Sequence, residues 1–250
     1  MNALDLYSKE DVHHWLKYSP KDPQYLKFSP NILAAGFKIV DVYHSFCYGR
    51  QSLLFIESKD YGELVFPKDD NISTLSLRAN FLLNALAFYN YCIDISWQVS
   101  WFFYGDYGRD IIEDNSKFAK ASTKCTFDEL NYILTLARDI KSRNIYREFF
   151  NHKLTVDLRE KYNLVKHRGS LHFKGLGIQY ENIGIRINGE TPKMLTNEVV
   201  EVDLLKDQLI KFDIMFKRYF DSLIRGIMPS DYLDNNYTLD DILNFRNSIR

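Results

Sequence analysis

The apolar and polar positions divide the chain into a mixed N-terminal stretch and a longer helical remainder. Ser8-Lys9-Glu10-Asp11 can cap a short helix through Trp15. The runs Lys38–Cys47, Ser52–Glu57 and Glu63–Phe66 are rich in β-branched and aromatic residues. Turn-like breaks at Tyr48-Gly49-Arg50 and Lys59-Asp60-Tyr61-Gly62 separate them, which predicts a small antiparallel meander. Pro67-Lys68-Asp69-Asp70-Asn71 then reads as a boundary.

From Ser73 the period becomes helical. A first helix is predicted over Ser73–Tyr104, stopped at Gly105. A second opens at the capping box Thr126-Phe127-Asp128-Glu129, with Phe127, Leu130, Leu134, Ala137 and Ile140 at helical spacing. A third is predicted over Leu154–His172, followed by a glycine-punctuated hairpin over Gly177–Asn188. A fourth, Asn197–Arg225, carries the stripe Leu205, Leu209, Phe212, Phe216, Tyr219 and Leu223 and is stopped by Gly226 and Pro229. A short last helix follows Thr238. The expected fold class is therefore mainly α: a bundle of four long helices plus a short C-terminal helix, with a β-hairpin insertion. Residues 1–70 form a small α+β extension in this reading, and 71–250 the bundle.

Only one segment invites a transmembrane reading, Ala79–Gly105, whose single charge is Asp94. That carboxylate would cost about 2.5–3.5 kcal/mol near mid-bilayer. Asn80, Asn84, Asn90 and Gln98 also argue for a central helix of a soluble bundle. The opening residues lack a basic and an apolar region, so no secretory signal is expected. Cys47, Cys92 and Cys125 are widely spaced and form no zinc pattern, which predicts reduced thiols, a cytoplasmic location, no metal and no cofactor. Aromatic residues reach 15%, so rings dominate the expected core. A net charge of -1 excludes binding to nucleic acid by bulk positive charge, but not through a local basic site.

The third predicted helix supplies such a site. Along Leu154, Leu158, Lys161, Val165, Arg168 and His172 the steps alternate between four and three, which keeps the series on one face. Its first turns are apolar; Lys161, Arg168 and His172 then stand where aliphatics belong. On a helix, Arg168 and His172 lie one turn apart and can converge on one phosphate. From Arg138 to Lys174 ten Lys/Arg stand against four Asp/Glu, a surplus of six in a chain whose total is -1. That asymmetry would aim RNA or another polyanion at one side of the molecule. On the first helix, Asn80, Asn84, Tyr91, Asp94 and Gln98 share a stripe. Asp94 can orient His172 or pair with Lys161 or Arg168 if the two stripes face each other.

The string Asn163-Leu164-Val165-Lys166-His167-Arg168-Gly169-Ser170-Leu171-His172 resembles the signature of the HEPN superfamily, over about residues 71–225. These helical-bundle proteins of toxin–antitoxin and antiviral systems carry an Arg, four to six residues, and then a His. Arg168 and His172 enclose three residues, one fewer than that minimum. The resemblance implies a metal-independent ribonuclease acting as a homodimer, with an antitoxin or other regulatory protein as a further partner. His172 would take the proton from a ribose 2'-hydroxyl, and Arg168 would stabilise charge on the phosphorus oxygens. Asn163, Lys166 and His167 would position the RNA, leaving a 2',3'-cyclic phosphate.

The competing reading is a catalytically silent helical module that dimerises or holds a partner protein or nucleotide. It expects Arg168 and His172 to be internally paired. Trp97 and Trp101 read as core rather than as a stacking platform, and His13, His14, His44 and His152 have no ligand-like spacing and receive no role.

Overall fold

Where alternation predicted strands, the chain forms a long helix. In the computed structural model, residues 2–58, 61–65, 70–176 and 199–248 are described. Helix α1 (Ala3–Lys9) and α2 (Asp22–Lys27) flank a 3-10 turn over His13–Tyr18, and α3 runs from Pro30 to Ile56. The expected meander is thus replaced by α3 and a 3-10 turn over Gly62–Leu64; Phe66 lies outside the described residues. Helical order was present in the sequence. Ala35, Ile39, Val42, Phe46, Leu53 and Ile56 are all buried, with Gly49 between them completing a series of four- and three-residue steps. Val, Ile and Phe in that seam imitate a strand, but the burial they need recurs at helical spacing. Gly49 is a close-packing residue, not a turn. A Cβ there would lie 3.0 Å from a Tyr89 ring carbon.

The chain continues through α4 (Asp70–Tyr104), α5 (Asp110–Glu113), α6 (Asn115–Thr123), α7 (Phe127–Leu136), α8 (Ile140–Asn151) and α9 (Lys153–His167). Then come β1 (His172–Phe173), β2 (Val199–Val200), α10 (Val202–Ile227) and α11 (Leu239–Ser248). The hairpin predicted over 177–188 lies outside the described residues. The residues flanking that gap, β1 and β2, pair in parallel, His172 with Val199 and Phe173 with Val200.

Named contacts fix the helix directions. Asn31 donates to the Phe103 carbonyl at 2.6 Å, Gly49 meets Tyr89, and Arg78 donates to the Ile56 carbonyl at 3.3 Å, so α3 and α4 are antiparallel. Asp203 meets Arg78, Asp213 meets Tyr89 and Tyr219 meets Ser96, so α10 runs parallel to α4. Asp139 meets Tyr104, Tyr146 meets Ser100 and Arg159 meets Asp94, so α8 and α9 together run antiparallel to α4. The helical bundle therefore stands, but with three long helices and a fourth member built from two shorter ones. One buried core runs from Ala3, Leu6 and Trp15 through α3, α4, α8 and α10 to Tyr232, without parting near residue 70.

Inside it sits a charged triad. Arg50 donates to both Asp213 carboxylate oxygens, at 2.8 and 2.7 Å, while the Tyr89 hydroxyl donates to Oδ2 at 2.7 Å. The remaining guanidinium arm donates at 2.7 Å to the Glu10 carbonyl just past α1. Every polar arm of the group is satisfied, which is the condition for a buried ion pair to persist.

Candidate nucleic-acid interface

The second predicted helix, expected to reach Ile140, stops at Leu136. Arg138 takes a positive φ of 54°, turning the chain back on itself. Thr126 caps α7 by accepting from the Glu129 N–H at 3.2 Å, and Asp139 caps α8 by accepting from the Ser142 N–H at 3.0 Å. Asp139 also accepts from the Tyr104 hydroxyl at 2.6 Å. Burial alone would raise its carboxyl; the bonds from Ser142 and Tyr104 outweigh that and hold it below the ordinary carboxylate range. The same pairing, with burial as the larger cause, pushes the Tyr104 hydroxyl up. The α7–α8 hairpin is thereby tied to the end of α4.

Between α7 and α8 lies a cleft of about 440 Å³. Each wall repeats one spacing: Phe127, Asn131 and Thr135 on α7, and Arg143, Arg147 and Asn151 on α8, each series one turn apart. Phe150 completes the floor. Its ring lies 4.8 Å from that of Phe127, and Trp97 of α4 packs against both, at 5.4 and 5.5 Å. Among the described residues none of the lining is acidic. Glu148 projects on another side of α8, towards α10.

The site continues along α9. Arg159 lies 5.7 Å from the Trp97 ring and 5.9 Å from that of Phe150, and its guanidinium donates to Asp94 at 2.9 Å. Asp94 thus takes Arg159, correcting the pairing expected with Lys161, Arg168 or His172. One turn further, Tyr162 packs edge-on against Tyr91, and Lys166 lies 5.8 Å over the Tyr162 ring. Burial first, and the Tyr91 hydrogen bond next, push the Tyr162 hydroxyl up to about 12.

Helix α9 ends at His167, so Arg168 and His172 do not share a helical face. Arg168 is the C-cap residue, with its N–H donating to the Leu164 carbonyl at 2.9 Å, and His172 lies on β1. Gly169 follows directly, and its N–H bonds the same carbonyl at 2.9 Å. Asn163, Lys166, His167 and Arg168 are exposed, while Lys161 and His172 are half-buried. Sequence reasoning did not single out Arg143, Arg147, Asn131 or Asn151. Their i, i+4 and i, i+8 spacing was the available signal, and it was obscured by extending one helix through Arg138.

Three histidines given no role have structural ones. His13 Nδ1 shares a 2.8 Å hydrogen bond with the Tyr43 hydroxyl. His14 shares Asp221 with the Trp15 indole, both at 2.7 Å, and His152 accepts from the Leu154 N–H at the start of α9. Among the described residues no group of three or more His, Cys, Asp or Glu is placed to hold a metal, and no helix is long and apolar enough to cross a membrane. The chain matches no family model, no curated protein and no solved structure.

Proposed function

We propose that this chain binds RNA through the arm formed by α7, α8 and α9. The observation that supports this reading is the placement of the local positive charge. Arg138, Lys141, Arg143, Arg147, Lys153, Lys166 and Arg168 are all exposed. Lys141 to Lys166 lie on α8 and α9, which also present aromatic rings, and Arg138 and Arg168 stand just beyond their ends, while Lys174 is exposed after β1 and paired with Glu201. Cations alone would favour any polyanion; rings beside them favour a nucleic acid with accessible bases. A second reading, metal-independent RNA cleavage, draws on the exposed group Asn163, Lys166, His167 and Arg168, with His172 next along the chain. In that reading His172 accepts the 2'-hydroxyl proton and Arg168 steadies the phosphorane oxygens.

Fluorescence anisotropy with a short RNA across a salt series tests binding. Neutralising four phosphates gives a slope of log K against log[salt] near -3; a salt-independent or undetectable association would remove the reading. The same RNA incubated in excess EDTA tests cleavage. Product ending in a 2',3'-cyclic phosphate, lost in His172→Ala and in Arg168→Ala, supports the nuclease. Binding without product leaves a binding module.

A further inference from the structure

We infer that the cleft between α7 and α8 receives one unstacked nucleobase together with its phosphate, which makes the RNA-binding arm selective for single strands. This rests on the reading of that arm as an RNA-binding surface and names what it recognises. Three features of the cleft converge on that ligand.

The floor is aromatic and backed. Phe127 and Phe150 are only half-buried, and Trp97 stacks behind Phe150 at an interplanar angle of 26°. Rings supported from behind hold their orientation without a ligand, so a flat base can settle on them at little conformational cost. The walls carry amides on opposite sides, Asn131 from α7 and Asn151 from α8. Each offers donors and an acceptor, the combination a base edge needs and a phosphate does not use. The rim carries Arg143 and Arg147, both exposed and one turn apart. Arg143 makes a long 3.4 Å bond to the Thr135 hydroxyl, and Arg147 has no hydrogen-bond or ion-pair partner among the described residues. Two guanidinium groups at that separation suit a single phosphodiester.

A volume of about 440 Å³ is within the range of small-ligand sites. It has no room for a duplex, whose bases are stacked and paired and cannot enter without being unstacked. Double-stranded RNA is left with the exposed cations alone.

The test compares three probes of equal length by anisotropy: an unstructured single-stranded RNA, the same sequence as a duplex, and an abasic single strand that keeps sugars and phosphates. The single strand is expected to bind the wild-type chain at least about tenfold more tightly than the other two. Asn131→Ala combined with Asn151→Ala should narrow that preference, to what stacking on Phe127 and Phe150 supplies, and leave abasic binding unchanged. Arg147→Gln, at an exposed position with no partner to lose, should weaken the two single strands more than the duplex. Equal binding of all three probes by the wild type overturns the base pocket while leaving the RNA-binding arm in place. No binding of any probe overturns that arm itself. Because the probe comparison uses the unmodified protein, it decides the matter even if a variant folds poorly.

Discussion

A guanidinium already held by a carboxylate is a weaker phosphate ligand than a free one, and Arg159 is so held, by Asp94. Both side chains are partly exposed, so the pair contributes little to stability, on the order of 1 kcal/mol or less. Asp94→Asn should therefore leave the melting temperature nearly unchanged while tightening RNA binding a few-fold and steepening its salt dependence. Weaker binding would mean that the carboxylate orients Arg159 for its ligand. The opposite regime holds at Asp213, which is fully buried against Arg50 and Tyr89. Asp213→Ala strands a buried guanidinium and should cost about 3–5 kcal/mol in urea denaturation, whereas Arg50→Met, Asp213→Leu and Tyr89→Phe together, which leave no charge and no buried hydroxyl without a partner, should recover most of that loss. Neither pairing could be read from sequence. Arg50 sat in what reads as a turn, and Asp94 had several cationic candidates with nothing in the spacing to choose between them.

At the scale of elements, the hairpin that carries Arg143 and Arg147 depends on Asp139 at the start of α8. Its carboxyl is held below the ordinary range, so its folded value lies beneath its unfolded one. A group depressed in this way contributes stability that is complete above the unfolded pKa of about 3.9 and is lost as pH falls through the folded value. Asp139→Ala should remove the N-cap and leave the Tyr104 hydroxyl without its acceptor, destabilising by about 1–3 kcal/mol near neutrality. The difference from wild type should shrink below about pH 4, which urea titrations at a series of pH values would show; a pH-independent difference would assign the loss to packing instead. The elements themselves were unevenly legible. α4 and α10 were evident because their apolar stripes are long, although α10 starts at Val202, after β2 has taken Val199–Val200 from its expected first turn, and runs through Gly226 to Ile227 before Pro229 stops it; Thr126 announced α7. The break at Arg138 was not evident, since an Arg with positive φ leaves no glycine to mark it. The end of α9 was missed because Leu171 keeps the apolar rhythm after the helix has stopped: it is buried beside β1, outside any helix.

For the whole molecule, the sequence-level division at residue 70 and the observed core make different statements about unfolding. Trp15 packs edge-on against Phe46 of α3 and Phe220 of α10, and its indole donates to Asp221. Trp97 belongs to the ring cluster beneath the cleft, and α10 spans the distance between the two sites through Phe212, Phe216 and Tyr219. Phe149 of α8 stacks on Tyr219 at 3.9 Å and also meets Phe216, which in turn stacks on Phe46, so rings are linked without interruption from the N-terminal helices to the α7–α8 hairpin. A core connected in this way should melt as one unit. Variants retaining Trp15 alone or Trp97 alone should show urea transitions with the same midpoint and slope by fluorescence, once each is compared with its own circular dichroism. A Trp15 transition at distinctly lower urea would show that residues 1–70 unfold independently and that the ring chain does not couple them to the bundle. Coincidence has a consequence for the RNA-binding arm. Substitutions at Trp15, far from the cleft, should then lower binding only in proportion to the fraction unfolded, a ratio that the same titrations supply.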